Sequence, residues 1–491
     1  MAGLVSLRLI NESIGISGYG DVAFILAFTG GICAIDLGFH QSMPRFIAQY
    51  TNTDLGLDKS HFWASCALFV VVLGMIQAGV LVAVLFAIRN FYQLRTFSFF
   101  ELLAFGMIMI IGNLLSAGSA IFSGWQQYAR AGIAKIVRAS CYLGVIFLLW
   151  WIGEITVRSV LWTYALAVLL PNLADGFVLL TLHSIDIRPN WKRFPSAHLN
   201  QLRHMASYSM HGWLFTASTI LVSSGSIFFA GLFLPSDNVA NLQISLVLYT
   251  GAAAFVTGSM TPLTTIRARF SDSTADPNAY VAKTAHRLLE EGILLAAILL
   301  GFFAYHLDVV LVLLLGKQVQ NPQLLSLTWQ LASVVLMPGL MILPWFTFRF
   351  ALVLHAENKR YNRQLFIVTC FALLAGLLVA IPTKSPLPIA ISIAISLIYR
   401  GLLAYHLGHV VLPGLSRFSI ISLLLVLFVL CTALNLATAI FLPAFQNNQF
   451  ADNYLHALLY MVACSIMYIF RGRLRSLIGL RFQSSTIDLM S

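Results

Sequence analysis

The feature that most constrains this chain is a series of thirteen apolar stretches, each long enough to cross a bilayer. A membrane-spanning helix needs about 20 mostly apolar residues. The stretches cover 19–40, 62–88, 99–123, 131–152, 160–183, 207–234, 239–265, 288–316, 324–350, 364–382, 386–410, 418–443 and 453–470. Hydrophobic residues make up 59% of the chain and charged residues 10%, against about 45–50% and about 25% in soluble domains. The sequence therefore predicts an all-α polytopic membrane protein, and it excludes soluble enzymes, secreted disulfide scaffolds and disordered chains.

The segment 1–10 is apolar but too short to span a bilayer. We interpret it as the end of a further helix, with a truncated or misassigned start, which brings the expected total to fourteen. Fourteen helices divide into two six-helix lobes plus two additional helices. The predicted boundaries are an N-terminal lobe at 1–183, a basic cytoplasmic linker at 184–206, a C-terminal lobe at 207–410, two additional helices within 411–470 and a basic cytoplasmic tail at 471–491.

The charges of the chain follow the predicted loops. If the loop 41–61 is cytoplasmic, most of the 29 basic residues lie in cytoplasmic loops, as the positive-inside rule requires. The net charge of +11 is then mainly a topology signal, and the charge distribution places the C-terminus in the cytoplasm. No loop carries the basic face interleaved with aromatic residues that binds single strands, so no nucleic-acid partner is expected.

Two apolar helices begin and end alike, which suggests an internal repeat. One opens with Gly-Asp-Val-Ala at 20–23 and exits through Pro44 and Arg45, and the other opens with Asp-Asn-Val-Ala at 237–240 and exits through Pro262 and a basic segment. Related halves are typical of transporters, whose substrate site lies between the repeats. The sequence therefore predicts two similar lobes around a central site.

Three short motifs in the 19–40 region carry a family resemblance. They are Gly18-Tyr19-Gly20, Asp36-Leu37-Gly38-Phe39 and Arg45-Phe46-Ile47-Ala48. Together they resemble the second-helix signature of polysaccharide flippases in the multidrug/oligosaccharidyl-lipid/polysaccharide exporter (MOP) superfamily, and Arg8 stands where the family's first-helix Arg would be. The family often has an acidic residue near the outer end of its seventh helix, whereas this chain has Ser223-Ser-Gly-Ser226.

The resemblance implies that the chain is a flippase. Its substrate would be an undecaprenyl-pyrophosphate-linked oligosaccharide repeat unit for O-antigen, capsule or exopolysaccharide, moved from the cytoplasmic to the periplasmic leaflet by alternating access. The partners implied are this lipid-linked oligosaccharide, membrane lipid, a polysaccharide polymerase, a chain-length regulator and a coupling proton or sodium ion.

Arginine is the residue type best suited to a pyrophosphate, because its planar guanidinium offers five donors and a permanent charge. The candidate substrate-binding residues are Arg8, Arg45, Arg138, Arg267, Arg269, Arg349 and Arg400. Arg138 opens the 131–152 helix, and Arg400 lies within the 386–410 helix. The alternative explanation for the arginines at helix ends is the positive-inside rule alone. The alternative explanation for Arg400 is snorkelling or an ion pair with Asp308 or Asp175.

Two carboxylates lie within predicted spans and are the candidate ion-coupling residues. Asp36 falls in the 19–40 span, and Asp175 follows Pro171 and Asn172 in the 160–183 span. A carboxylate in a membrane is costly and marks a functional site by default. The alternatives are a structural cap or an interhelical salt bridge for Asp36, and satisfaction of the local backbone for Asp175.

Other function classes fit the sequence less well. The sequence has no Walker lysine motif, no Gly-x-Ser-x-Gly elbow and no zinc spacing, so we expect a non-enzyme without metal or cofactor. An ion-coupled drug antiporter of the same superfamily is the main alternative. A membrane polysaccharide polymerase or ligase is disfavoured because the predicted outer loops are short.

Overall fold

A computed structural model describes most of the first 408 residues. The continuous described ranges are 2–36, 59–88, 97–125, 127–182, 212–258, 277–316, 321–345 and 358–408, and isolated residues are described between and beyond them. The predicted helices 418–443 and 453–470 and the predicted tail lie outside these ranges.

Twelve helices and one short 3₁₀ turn, Leu343–Trp345, account for the regular structure of these ranges. The N-terminal half contains α1 (Ala2–Cys33), α2 (Lys59–Ile88), α3 (Phe99–Leu115), α4 (Ala117–Gly124), α5 (Tyr128–Ile152) and α6 (Val157–Leu182). The C-terminal half contains α7 (Gly212–Phe233), α8 (Ser236–Gly258), α9 (Pro277–Leu315), α10 (Pro322–Ile342), α11 (Asn358–Thr383) and α12 (Leu387–Gly408). Ten helical segments of the described chain are long and apolar enough to cross a membrane, and they match ten of the predicted spans. The all-α polytopic prediction is confirmed.

Local sequence signals set several helix ends. Ser98 and Glu101 form a reciprocal capping box at the start of α3, in which the Ser98 hydroxyl accepts from the Glu101 N–H and the Glu101 carboxylate accepts from the Ser98 N–H. Asn321 caps α10 just before Pro322. At the end of α5, Gly153 takes the left-handed conformation with φ 76°.

The structure shifts the helix bounds predicted for the N-terminal region. The segment 1–10 belongs to a helix distinct from the predicted 19–40 helix, as expected, but the two meet at Gly15 without a loop, so that α1 (Ala2–Cys33) consists of two helices. Gly15 has φ 73° and ψ 174°, a backbone conformation open to glycine because it has no Cβ. The helix also ends at Cys33, well before the predicted residue 40.

Helix α1 lies at the seam between the two halves, where it packs against α3, α5 and α6 on one side and α7, α8 and α9 on the other. Phe24 and Phe28 of α1 both stack on Phe228 of α7, at ring-centroid distances of 5.7 and 5.9 Å. Gly231 of α7 lies directly against the Phe24 ring, so a larger residue there would displace it. The seam is therefore a close, largely aromatic contact.

Several helix-connecting turns meet at one end of the bundle. Arg158 contacts Glu101 at 3.4 Å within the N-terminal half, and Asn238 donates to the Lys384 carbonyl at 3.2 Å within the C-terminal half. Asp21 accepts a hydrogen bond from Ser236 across the seam. All these turns were predicted to lie on the non-cytoplasmic side, and we refer to this end as the outer end.

Candidate functional site

The first polar region surrounds the C-terminal end of α1, which we call its broken end because α1 stops at Cys33, inside the predicted 19–40 span. Residues 34–36 are not helical, although they fall inside the predicted 19–40 span. Helix ends leave carbonyl groups without intrahelical partners, and such groups are tolerated at membrane depth only where protein or water satisfies them. Here the Gln77 amide of α2 donates to the carbonyls of Cys33 and Ile35 at 2.9 and 3.1 Å, and Asn113 of α3 donates to Cys33 at 2.9 Å.

Asp36 stands directly after these capped carbonyls. Only 6% of Asp36 is exposed, so it is a buried carboxylate. The prediction placed it within a continuous helix, whereas the structure places it past the end of α1. Gln77 is fully buried, and its Oε1 has no hydrogen-bond partner in the described part of the chain. The broken end of α1 thus has several polar oxygen atoms in its neighbourhood: the Cys33 and Ile35 carbonyls, Gln77 Oε1 and the Asp36 carboxylate.

Asp175 belongs to a second group of polar contacts, between α3, α4 and α6. One turn before it, the buried Asn172 amide donates to the Gly112 carbonyl of α3 at 2.8 Å. Asp175 itself packs against Gly118 of α4 and interacts electrostatically with Arg130. Its Oδ2 is buried and has no hydrogen-bond partner among the described residues.

Arg138 was predicted to open its helix, but in the structure it lies well inside that helix. Helix α5 begins at Tyr128, so Arg138 is almost three turns in and falls within the candidate span Gly132–Ile152. Its Nη2 donates to the Tyr164 hydroxyl of α6 at 2.8 Å. Its guanidinium carbon lies 5.2 Å from the centroid of the same ring.

Arg400 is the buried cation of the C-terminal half. It is 8% exposed within α12, as predicted. Its Nη2 donates to the Thr219 hydroxyl of α7 at 3.1 Å, and its guanidinium carbon lies 5.1 Å from the Phe215 ring centroid. The Tyr361 hydroxyl donates to the Arg400 carbonyl at 3.3 Å. Arg400 therefore ties α12 to α7 and α11.

The Arg400 contact lies next to an irregular turn of α7. Leu221–Gly225 forms a π-helical turn, a feature often found at functional sites. The serines of this region bond to backbone carbonyls within the helix: Ser223 donates to Thr219 at 3.0 Å and Ser226 to Val222 at 2.7 Å. The serine-rich sequence that departs from the family pattern is thus part of a locally rewound helix.

The remaining candidates divide into one exposed residue and four outside the described ranges. Arg8 pairs with Glu12 one turn later at 3.1 Å and is half exposed, a geometry of little energetic weight. Arg45, Arg267, Arg269 and Arg349 lie outside the described residues. No group of three or more metal-ligating side chains occurs in the described part of the chain.

Sequence reasoning missed the tyrosines around Arg138. Tyr142 follows Arg138 by four residues on the same helix face, and its ring packs edge-to-face on Tyr164 at 5.6 Å. Tyr19 of α1 interacts electrostatically with Tyr142 and is hydrogen-bonded to Gln243 of α8. The spacing of Arg138 and Tyr142 was visible in the sequence, whereas the partners on α1, α6 and α8 were not.

Comparison with known proteins identifies a matching family and solved structures with a similar fold. The sequence profile of a family described as "Polysaccharide biosynthesis protein" matches residues 1–263. The lipid II flippase MurJ in an inward closed conformation has a similar fold, with a TM-score of 0.61 at 13% identity over 96% of this chain and 97% of that one.

Two further solved structures share the fold. A MOP superfamily transporter from Pyrococcus furiosus, described as having a binding pocket of reverse polarity, gives a TM-score of 0.58 at 15% identity over 86% of this chain and 92% of that one. An inward-facing multidrug resistance MATE family transporter of the same superfamily gives 0.56 at 16% identity over 86% and 95%. A search of curated protein sequences returned no match.

Proposed function

Because the chain belongs to the polysaccharide biosynthesis protein family and has the fold of MOP superfamily transporters, we propose that it is a lipid-linked oligosaccharide flippase. Its substrate is an undecaprenyl-pyrophosphate-linked repeat unit, which it moves from the cytoplasmic to the periplasmic leaflet of the bacterial inner membrane. The structural neighbours are transporters and a flippase, not enzymes, in keeping with the absence of catalytic motifs. The product feeds O-antigen, capsule or exopolysaccharide synthesis, where a polymerase and a chain-length regulator act next.

The observation that carries this proposal is a cation within a membrane-spanning helix of each half, half-buried in the N-terminal half and buried in the C-terminal half. Arg138 lies inside α5 and Arg400 inside α12. A charge in a span is costly, and it is retained where it faces protein or a water-filled pathway. Two guanidinium groups suit an anionic pyrophosphate, because each offers several donors in a planar fork. Arg8, Arg45, Arg267, Arg269 and Arg349 complete the proposed set of substrate-binding arginines.

Alternating access fits the way the halves meet. Their described contacts through α1 include a hydrogen bond and a backbone approach at the outer end. Rocking one half against the other around a central site is the usual mechanism of transporters built from repeats. The substrate then enters from the inner end, and its lipid tail remains in the bilayer.

Asp36 and Asp175 are the proposed ion-coupling residues. Support comes from the burial of Asp36 beside the broken end of α1 and from the unpartnered, buried Oδ2 of Asp175. Transport into vesicles under an imposed proton or sodium gradient tests this. Asp36→Asn and Asp175→Asn should lose the gradient dependence, and the exposed Asp308 provides a control, Asp308→Asn. Unchanged gradient dependence in both variants would remove the coupling role.

Deletion of the gene tests the flippase proposal in cells. We expect surface polysaccharide to disappear and the lipid-linked repeat unit to accumulate on the cytoplasmic leaflet, with recovery when the wild-type gene is restored. Accumulation of single repeat units on the periplasmic leaflet would instead indicate a polymerase defect. Efflux of a cationic dye without any change in polysaccharide would favour the drug antiporter.

A further inference from the structure

Helix α5 has two faces of opposite character. Its exposed apolar residues include Ile133, Ile136, Val137, Phe147, Leu148 and Trp151. At 100° per residue these side chains share one side of the helix, as on a surface that faces lipid. Lys135, Arg138 and Tyr142 are spaced i, i+3 and i+7 and lie on the opposite side. We call these three residues the polar face of α5.

The polar face reaches water at the inner end of α5. Lys135 is exposed and lies within the candidate span Gly132–Ile152, less than one turn from its inner end. A lysine near the end of a span extends its ammonium group to the interface or to an aqueous space and not to acyl chains. Ile146, one turn beyond Tyr142 on the same side, is fully buried in the core. The polar face is therefore closed by packing toward the outer end of α5 and is accessible from its inner end.

The polar face and Tyr164 of α6 together place the Arg138 guanidinium beside two aromatic rings. The Arg138 guanidinium is bonded to the Tyr164 hydroxyl and lies over the same ring. A guanidinium has five N–H donors, and no other hydrogen bond of Arg138 is found within the described part of the chain. The Tyr142 and Tyr164 rings are half-buried and perpendicular, with an interplanar angle of 88°. Donors for an anion and ring surfaces for a neutral group thus lie side by side.

The polar face is also close to the seam between the halves. Tyr142 interacts electrostatically with Tyr19 of α1, and the Tyr19 hydroxyl is hydrogen-bonded to Gln243 of α8. Two side-chain interactions, through Tyr19, therefore lead from the polar face to the C-terminal half. A ligand on this face would lie where a transporter made of two halves needs its substrate.

We propose that Lys135, Arg138, Tyr142 and Tyr164 form a subsite for the phosphate-linked sugar at the reducing end of the glycan. Lys135 and Arg138 bind phosphate oxygens through charge-assisted hydrogen bonds. Tyr142 and Tyr164 contact the sugar, because a tyrosine presents an apolar ring for its C–H groups and a hydroxyl for its hydrogen bonds. This subsite rests on the flippase proposal and adds that the protein recognises the first sugar as well as the pyrophosphate.

The test measures the binding of two lipids to the purified full-length protein in nanodiscs. One probe is undecaprenyl pyrophosphate, and the other is the lipid-linked glycan extracted from cells that lack the gene. Tyr142→Ala should weaken binding of the glycosylated lipid about tenfold, in line with the about 1.4 kcal/mol that one buried aromatic contact can supply, and leave the unglycosylated lipid within about twofold. Arg138→Gln should weaken both lipids, because both carry the pyrophosphate. Inorganic pyrophosphate should compete with both lipids, because Lys135 and Arg138 bind the phosphate oxygens themselves. Competition with neither lipid would overturn the phosphate part of the subsite.

Matched variants distinguish a lost contact from a folding defect. Tyr305 is an exposed tyrosine on α9, and Tyr305→Ala should bind both lipids as the wild type does. Tyr142→Phe keeps the ring and should retain most of the affinity for the glycosylated lipid. If Tyr142→Ala does not fold, Tyr142→Leu preserves bulk without the aromatic ring and carries the same expectation.

The outcomes separate this subsite from the function on which it rests. Wild-type protein that binds neither lipid would overturn the flippase proposal itself. Wild-type binding of both lipids, with Tyr142→Ala and Tyr142→Leu either unchanged or weakened equally for the two, would overturn the sugar subsite and leave the flippase proposal standing.

Discussion

The Asp21 carboxylate on α1 accepts a hydrogen bond from the Ser236 hydroxyl at the start of α8, at a distance of 2.7 Å. The two residues stand at the beginnings of the two repeats that the sequence suggested. Beside them, Gly20 lies directly against the backbone of Ser236. The halves are therefore in contact at the outer end, and release of a substrate to that side requires this contact to separate.

Locking this contact should stop transport. In a variant carrying Asp21→Cys and Ser236→Cys, a short bis-methanethiosulfonate cross-linker, which forms a disulfide with each thiol, bridges the two halves at the outer end. We expect glycolipid translocation in proteoliposomes to fall to background after cross-linking and to recover when a reductant cleaves these disulfides. The two variants that carry only one of the substitutions serve as controls. Full transport in the cross-linked protein would mean that the outer contact does not open during the cycle.

The close approach of Gly20 to Ser236 leaves no space for a side chain. A Cβ on Gly20 would meet the Ser236 carbonyl, a backbone group that cannot rotate away. Gly20→Ala should therefore hold the outer end apart and raise the labelling rate of a cysteine placed at Ser236 several-fold. Gly31 has open space around its Cβ position, so Gly31→Ala should leave that labelling rate unchanged. Equal labelling in the two variants would contradict the close packing.

The amide of Gln77 is expected to stabilise the broken end of α1. Gln77→Leu leaves the Ile35 carbonyl without this donor, whereas the Cys33 carbonyl keeps Asn113, and an unsatisfied buried polar group costs about 1–3 kcal/mol. We expect a clearly lower melting temperature in a thermal stability measurement on the detergent-solubilised protein. Gln323 is exposed at the start of α10, and Gln323→Leu provides a matched control. A Gln77→Leu protein as stable as this control would show that the carbonyls are satisfied in another way.

Arg400 allows a test that separates a substrate role from a structural one. Met has a similar length without the charge, and replacing a buried charged group by a well-packed apolar residue often leaves stability unchanged or higher. We therefore expect Arg400→Met to keep a near-wild-type melting temperature and to lose at least about tenfold in glycolipid transport, as for a lost charge-assisted contact.

The partner of Arg400 supplies the control for that variant. Thr219→Val removes the hydroxyl that accepts from Arg400 and keeps the cation, so transport should fall much less than in Arg400→Met. Wild-type transport in Arg400→Met would indicate that Arg400 serves only to hold α12 against α7.

The fold was largely predictable because membrane spans are set by continuous apolar length, which a single sequence displays. Ten predicted spans recur in the described chain, and Arg400 lies inside its helix as expected. The ends of helices were less predictable. The break after Cys33 depends on Gln77 and Asn113 from two other helices, and no local signal in 34–40 marks it.

Side-chain partners were also harder to predict than spans, because they depend on contacts between different helices. Arg138 was predicted to open its helix, whereas the helix begins at Tyr128, ten residues earlier. Its contact with Tyr164 joins residues 26 positions apart on neighbouring helices, and the Arg400–Thr219 contact joins residues 181 positions apart. Such pairings follow from helix packing, which periodicity within one helix does not specify.

Reconstitution into liposomes tests the central proposal most directly. The purified protein is incorporated into vesicles that carry the lipid-linked repeat unit, and the fraction of the glycan accessible from outside is followed with a membrane-impermeant glycosidase or lectin. We predict that the wild-type protein makes the inner-leaflet glycolipid accessible and that a protein carrying both Arg138→Gln and Arg400→Met does not. Vesicles with wild-type protein in which the inner-leaflet glycolipid stays as protected as in protein-free vesicles would contradict the assignment as a flippase.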